Sequence, residues 1–233
     1  MNQQIPLFPL QTVLYPGAPL TLHIFEERYR AMIARCLQEK GPFGVTLIRS
    51  GSEVSPDDPW VRRMLAAGAA SGEAPASQET VPHPVGTSAR ISDSMQLDDG
   101  RYYLVATGVR RFRIQHIAQR QPYLVAAVSY LDDERRGTEQ NAAQLRKLYA
   151  RYWAALGAAT GQQYEQESLP DDPVEMSYAL AHQLKVDNAR KQHWLEVSTQ
   201  VRLRELCAAL RDELALLPAG GPTEGAGGPW TWN

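Results

Sequence analysis

Two hydrophobic rhythms divide the chain. Up to about residue 135, short apolar runs alternate with Pro, Gly and Asp turns, the pattern of strands. Beyond it, apolar positions recur at spacings of three and four, the pattern of helices. Residues 5–10, I-P-L-F-P-L, read as an extended segment because Pro6 and Pro9 fix φ and carry no amide donor. Alternation there would turn Phe8 and Leu10 inward and Leu7 outward. Pro16-Gly17 marks a turn, and 20–24 reads as a strand. A helix follows from about Glu26 to Glu39, with Tyr29, Met32, Ile33, Cys36 and Leu37 on one face and Gly41-Pro42 at its end. Residues 43–48 form a buried strand.

Residues 50–84 are rich in Pro, Gly and Ser and read as a long, partly disordered surface excursion. One short helix interrupts it, with Asp58 as cap, Pro59 in the first turn and Trp60, Val61, Met64 and Leu65 on one side. Residues 85–97 alternate, and Asp99-Gly100 signals a hairpin into 101–107. Residues 112–117 and 123–131 continue as strands, the second nearly uniformly apolar and therefore central. In the second half a stripe runs through Ala142, Leu145, Leu148, Tyr149, Tyr152 and Leu156. Asp172-Pro173-Val174-Glu175 has the form of a capping box, and Asp187 and Ser198 are further caps. The last helix aligns Leu203, Leu206, Cys207, Leu210, Leu214 and Leu217. The fold class is α+β: a closed or half-closed β-barrel with one early helix over 1–135, a helical part over 136–217, and a disordered tail over 218–233.

Composition changes this picture mainly by exclusion. Among 233 residues, 24 Lys and Arg face 26 Asp and Glu, a net charge of −2 that argues against a coat for nucleic acid or an anionic membrane. No apolar run approaches the ~20 residues of a membrane span, and no secretory leader precedes Ile5, which points to the cytoplasm. Cys36 and Cys207 read as two free thiols on apolar helix faces. The chain has no phosphate-cradling G-x-x-x-x-G-K-[ST] loop, no G-x-G-x-x-G, no G-x-S-x-G and no H-E-x-x-H. The histidines at 23, 83, 116, 182 and 193 lack ligand-like spacing. No catalytic residue, metal site or cofactor is therefore expected. Adjacent carboxylates at Glu26-Glu27, Asp57-Asp58, Asp98-Asp99, Asp132-Asp133 and Asp171-Asp172 fall at turns and helix starts, where they accept amide hydrogen bonds. Arg110, Arg111 and Arg113, with Arg101 and Arg120 nearby, permit two readings. They form a basic stripe for phosphate or an acidic partner, or they bridge loop carboxylates at the barrel rim.

One combination of motifs is specific. The run from Ile5 to Leu10, Val13-Leu14-Tyr15-Pro16-Gly17, the strand to Ile24, and Phe25-Glu26-Glu27-Arg28-Tyr29-Arg30 resemble the opening of the Lon protease N-terminal substrate-binding domain. The likeness continues through Val85-Gly86-Thr87, Asp99-Gly100-Arg101, Gly108-Val109-Arg110-Arg111-Phe112-Arg113-Ile114, Pro122-Tyr123-Leu124-Val125-Ala126 and Leu169-Pro170-Asp171-Asp172-Pro173, and it covers most of 5–217. The resemblance implies a PUA-like pseudo-barrel followed by a helical bundle, and a role in recognising protein substrates. It further implies a stand-alone bacterial version without the ATPase and Ser–Lys protease domains. The matched positions Pro6, Phe8, Pro9, Pro16, Gly17, Phe25, Glu26, Arg28, Tyr29, Gly86, Gly108, Arg111, Phe112 and Pro122 are expected to determine the fold rather than to react.

The function expected is a non-catalytic, ATP-independent module that binds unfolded or exposed hydrophobic polypeptide, an adaptor or weak chaperone whose partners include a protease or chaperone. An RNA- or nucleotide-binding PUA-like module and a peptidase with an unrecognised site are the alternatives. Binding is expected in a groove where the halves join, or along an exposed barrel edge.

Overall fold

The computed structural model describes residues 3–55, 58–66, 79–162 and 168–217, and the chain divides into units 1–132 and 133–233. Parts of the predicted excursion (56–57 and 67–78), the side chain of Leu65 and the predicted tail from Pro218 lie outside the described residues.

In the first unit the elements run β1 (Gln3–Leu10), β2 (Pro19–Ile24), α1 (Glu27–Glu39), β3 (Phe43–Ser50), α2 (Pro59–Ala66), β4 (Val81–Pro82), β5 (Val85–Gln96), β6 (Tyr102–Gln119) and β7 (Val125–Tyr130). Antiparallel pairings link β1 to β7, β7 to β6, β6 to β5 and β5 to β3. A parallel pairing of β3 with β1, from Leu7↔Gly44 to Leu10↔Leu47, closes this ring. Strand β2 lies beside the first part of β6, and β4 pairs with the end of β3. Ile5, Leu7, Phe112, Ala126 and Val128 form a buried cluster from β1, β6 and β7.

Three expectations need correction. Leu7 does not face outward: it is fully buried, and Phe8 on the opposite face packs 4.1 Å from the ring of Tyr29 in α1. Strand β1 is thus covered on both sides, and alternation carries no inside–outside signal there. The same holds for the first five residues of β5, Val85 to Ala89, which are all buried. The two strands predicted at 101–107 and 112–117 are one 18-residue strand, β6, whose edge is shared by β2 and then β7. A register shift at Val109, between Ala89↔Gly108 and Ser88↔Arg110, lets it change neighbours. Gly108 makes this crossing possible. Its carbonyl accepts from Gly17 N–H at 2.8 Å and its N–H donates to Ala18 at 3.0 Å, while a Cβ would stand 2.1 Å from the Tyr15 carbonyl oxygen. Helix α1 ends at Glu39, as expected, and Lys40, left-handed with φ 51°, caps it one residue before Gly41.

In the second unit α3 (Glu139–Thr160), α4 (Pro173–Gln183), α5 (Asn188–Glu196) and α6 (Thr199–Leu216) follow one another. The predicted caps function as such: Asp172 accepts from Val174 and Glu175, Asp187 from Arg190, and Ser198 from Val201. Arg202, fully buried in α6, holds four chain segments together. It donates to Ser177 Oγ at 2.8 Å and to the Trp194 carbonyl at 3.1 Å, lies 3.9 Å over the Tyr178 ring and pairs with Asp133 at 3.5 Å.

Candidate functional site

The segment Phe25-Glu26-Glu27-Arg28-Tyr29 joins β2 to α1, and the structure makes it a junction. Glu26 is 3% exposed, and its Oε2 accepts from Arg28 and from the Ser55 amide, each at 3.0 Å. Burial pushes its carboxyl above the ordinary range, opposed by the Arg28 charge and the Ser55 hydrogen bond. Arg28 also donates to the Glu53 carbonyl at 3.2 Å and stacks over Tyr29 at 4.4 Å. Asp58 does more than the cap expected of it. Oδ1 accepts from the Trp60 and Val61 amides at the start of α2, and Oδ2 from the Glu27 amide at the start of α1, at 3.0 Å. One carboxylate therefore terminates two helices.

Beside this junction lies an apolar strip on the outward face of β6. Tyr103, Val105 and Val109 are 44%, 38% and 45% exposed, and Met95 of β5, opposite Tyr103 in the register, is 57% exposed. Across the sheet, the His23 ring stacks on Tyr103 at 4.7 Å, Phe25 lies 6.0 Å further on, and Trp60 packs on Phe25 at 4.3 Å. The strip thus runs from the hairpin through β2 to α2. Residues 91–96 of β5 have β6 as their strand partner and, among the described residues, no strand on the other edge. Sequence reasoning missed this surface. The stretch 102–106 is apolar at nearly every position, which signals burial on both faces, whereas the even positions are buried and the odd ones exposed.

The predicted motif residues mostly serve the fold. Phe8, Glu26, Tyr29 and Phe112 are buried, Pro6 and Pro9 lie in β1, and Pro122 follows a cis peptide bond. Pro16 and Gly17, the latter at φ 79°, form the turn against Gly108, and a Cβ at Gly86 would meet the Val45 carbonyl oxygen at 2.4 Å. The arginine run is dispersed rather than presented as a stripe. Arg111 is 4% exposed, and Arg110 pairs with Asp132 at 2.7 Å over the Tyr130 ring. Of the expected motif set, Phe25 alone, half-buried, joins the aromatic end of the strip. Burial raises the Cys36 thiol to about 11 and also raises that of Cys207, so both are protonated at neutral pH. His193 bridges to Glu205 of the next helix at 3.0 Å. Among the described residues, no three His, Cys, Asp or Glu side chains group to hold a metal ion, and no helix is long and apolar enough to cross a membrane.

Comparison with known proteins agrees with this organisation. A Lon protease of Brevibacillus choshinensis is 22% identical over 223 residues, 93% of this chain, and Lon protease 2 of Myxococcus xanthus is 27% identical over 133 residues, 57% of this chain. The chain spans 26% and 14% of those two proteins. The crystal structure of a Lon N-terminal domain protein from Xanthomonas campestris superposes with a TM-score of 0.58 at 26% identity, covering 88% of this chain and 98% of that one. The N-terminal domain of a Mycobacterium avium complex Lon protease shares the fold at 16% identity, with a TM-score of 0.56 over 90% of this chain and 99% of its own. The model of the ATP-dependent protease La (LON) substrate-binding domain matches residues 4–212, and the chain belongs to that family.

Proposed function

We propose that this protein binds unfolded or exposed hydrophobic polypeptide segments without ATP or cofactor, as a cytoplasmic adaptor in protein quality control. In this reading the strand ring is a PUA-like pseudo-barrel and the four later helices are a bundle. The observation that carries the proposal is the apolar strip of Met95, Tyr103, Val105 and Val109, continued by Phe25 and Trp60. Large apolar side chains cost little when scattered singly on a surface, but several on one sheet face suit a partner. The adjoining edge of β5 at 91–96 offers main-chain donors and acceptors to an extended peptide, whose alternate side chains would meet the strip. A flexible ligand loses conformational freedom on binding, so affinity is on the order of micromolar.

The test is titration of a labelled, reduced unfolded protein with the full chain. Saturable binding is expected, weakened about tenfold in Tyr103→Ser/Val105→Ser, the loss of roughly 1.4 kcal/mol from two half-exposed contacts. An unchanged affinity in that variant overturns the strip, and absence of binding at concentrations about a hundredfold above the expected constant overturns the function.

A further inference from the structure

Between the first turns of α1 and α2 and the tip of the β5–β6 hairpin lies a notch of about 260 Å³, opening beside the aromatic end of the strip. We propose that this notch takes a carboxylate carried next to an apolar side chain, as at the C-terminal end of a polypeptide. The proposal rests on the recognition reading above and adds an anchor to it.

Three guanidiniums and three carboxylates line the notch, and they are not equally occupied. Asp58 spends both oxygens on the amides of two helix starts. Asp99 accepts from the Arg101 amide at 3.2 Å and from Arg101 Nε at 2.7 Å, and these hydrogen bonds hold its carboxyl below the ordinary range. Arg101 in turn places Nη1 3.3 Å from His23 Nε2. Those groups are committed to one another. Arg30 donates Nη1 to the Asp99 carbonyl at 3.1 Å, but its Nε is buried with no partner. A buried donor left in that state is costly unless an acceptor arrives from outside the fold. The side chain of Arg63 makes no hydrogen bond or ion pair among the described residues. The positive ends of α1 and α2 offset the charge of Asp58, and Asp99 and Arg101 offset each other. That leaves Arg63 and the Nε of Arg30 against Glu27, whose side chain makes no hydrogen bond or ion pair among the described residues. The balance favours a ligand with a single negative charge over a dianionic phosphate. The floor is Phe25 against Trp60, ring centroids 4.3 Å apart, which accepts a flat or branched apolar side chain beside the charge. A chain terminus supplies both parts on one residue. An internal Asp or Glu beside an apolar residue supplies them on two.

The experiment compares short labelled apolar peptides ending in phenylalanine as the free acid, the same peptides amidated, and amidated peptides with an internal Asp beside the phenylalanine. The unfolded-protein titration runs alongside with the full chain. The free acid is expected to bind roughly five- to tenfold tighter than the amide, the scale of one partly exposed charge-assisted hydrogen bond. That preference should shrink to within about twofold in Arg63→Gln and in Arg30→Gln, with unchanged circular dichroism. An equal gain from the internal Asp would keep the carboxylate notch and overturn the terminal assignment. Equal affinities for acid and amide, or a preference that survives both substitutions, overturn the notch while leaving the recognition reading intact. The same holds if no peptide binds although the unfolded protein does. If neither binds, the recognition reading falls and the notch falls with it.

Discussion

At the scale of single residues, Glu26 shows how a motif that looks like a surface ion pair becomes part of the interior. The sequence places Glu26 and Arg28 at a helix start, where an exposed pair contributes a few tenths of a kcal/mol. Burial changes both sign and size. The folded state raises the carboxyl's pKa, so this group adds stability that is fully present below its unfolded value and lost as pH rises through the folded one. The Arg28 charge and the Ser55 amide oppose that rise. Glu26→Ala, which strands both partners, should cost about 2–4 kcal/mol. Glu26→Gln, which keeps an acceptor for Ser55, should cost less than half as much. Thermal melts across pH check the sign: the wild-type advantage over Glu26→Gln should grow as pH falls toward 4.5 and shrink toward neutrality. The opposite trend would refute the assignment. The sequence could name these residues, but burial depends on the segment around Ser55, which folds over the site from a stretch with no periodicity of its own.

At the scale of elements, the caps were legible and the strand faces were not. A cap is a local event within three residues, and Asp58, Asp172, Asp187 and Ser198 all accept the amides that their spacing predicts. Strand facing is not local. Leu7 and the start of β5 are covered on both sides by elements distant in sequence, and β6 continues through Val109 because of a bulge set by its neighbours. Asp58 combines the two cases, since its second cap reaches back to Glu27 in another helix. Removing it should therefore cost more than one cap. Asp58→Ala should destabilise by about 2–3 kcal/mol, whereas Asp58→Asn, which retains an acceptor for α2, should cost about 1 kcal/mol or less. Denaturant melts at neutral pH separate these values, and equal losses would mean that charge rather than hydrogen bonding matters there.

At the scale of the whole molecule, charge decides between polypeptide and nucleic acid as ligand. A protein that holds RNA through its backbone needs several free cationic side chains on one surface, and each phosphate neutralised steepens the dependence on salt. This chain carries a net charge of −2, and its densest arginine run is largely spent within the fold. Arg110 pairs with Asp132, Arg111 is buried, and Arg120 pairs with Glu79, which leaves Arg113 as the exposed remainder. The aromatic strip offers faces to bases, but stacking without several free cationic side chains beside it holds RNA only weakly. A labelled single-stranded RNA should therefore bind more weakly than about micromolar at physiological salt, with a shallow salt slope of magnitude about two or less. Fluorescence anisotropy at two salt concentrations measures both quantities. Submicromolar affinity with a steep slope, lost in Arg110→Ala/Arg113→Ala, would make the RNA reading the better one. Both side chains are exposed, so their removal leaves the folded core in place and the comparison reports on binding alone.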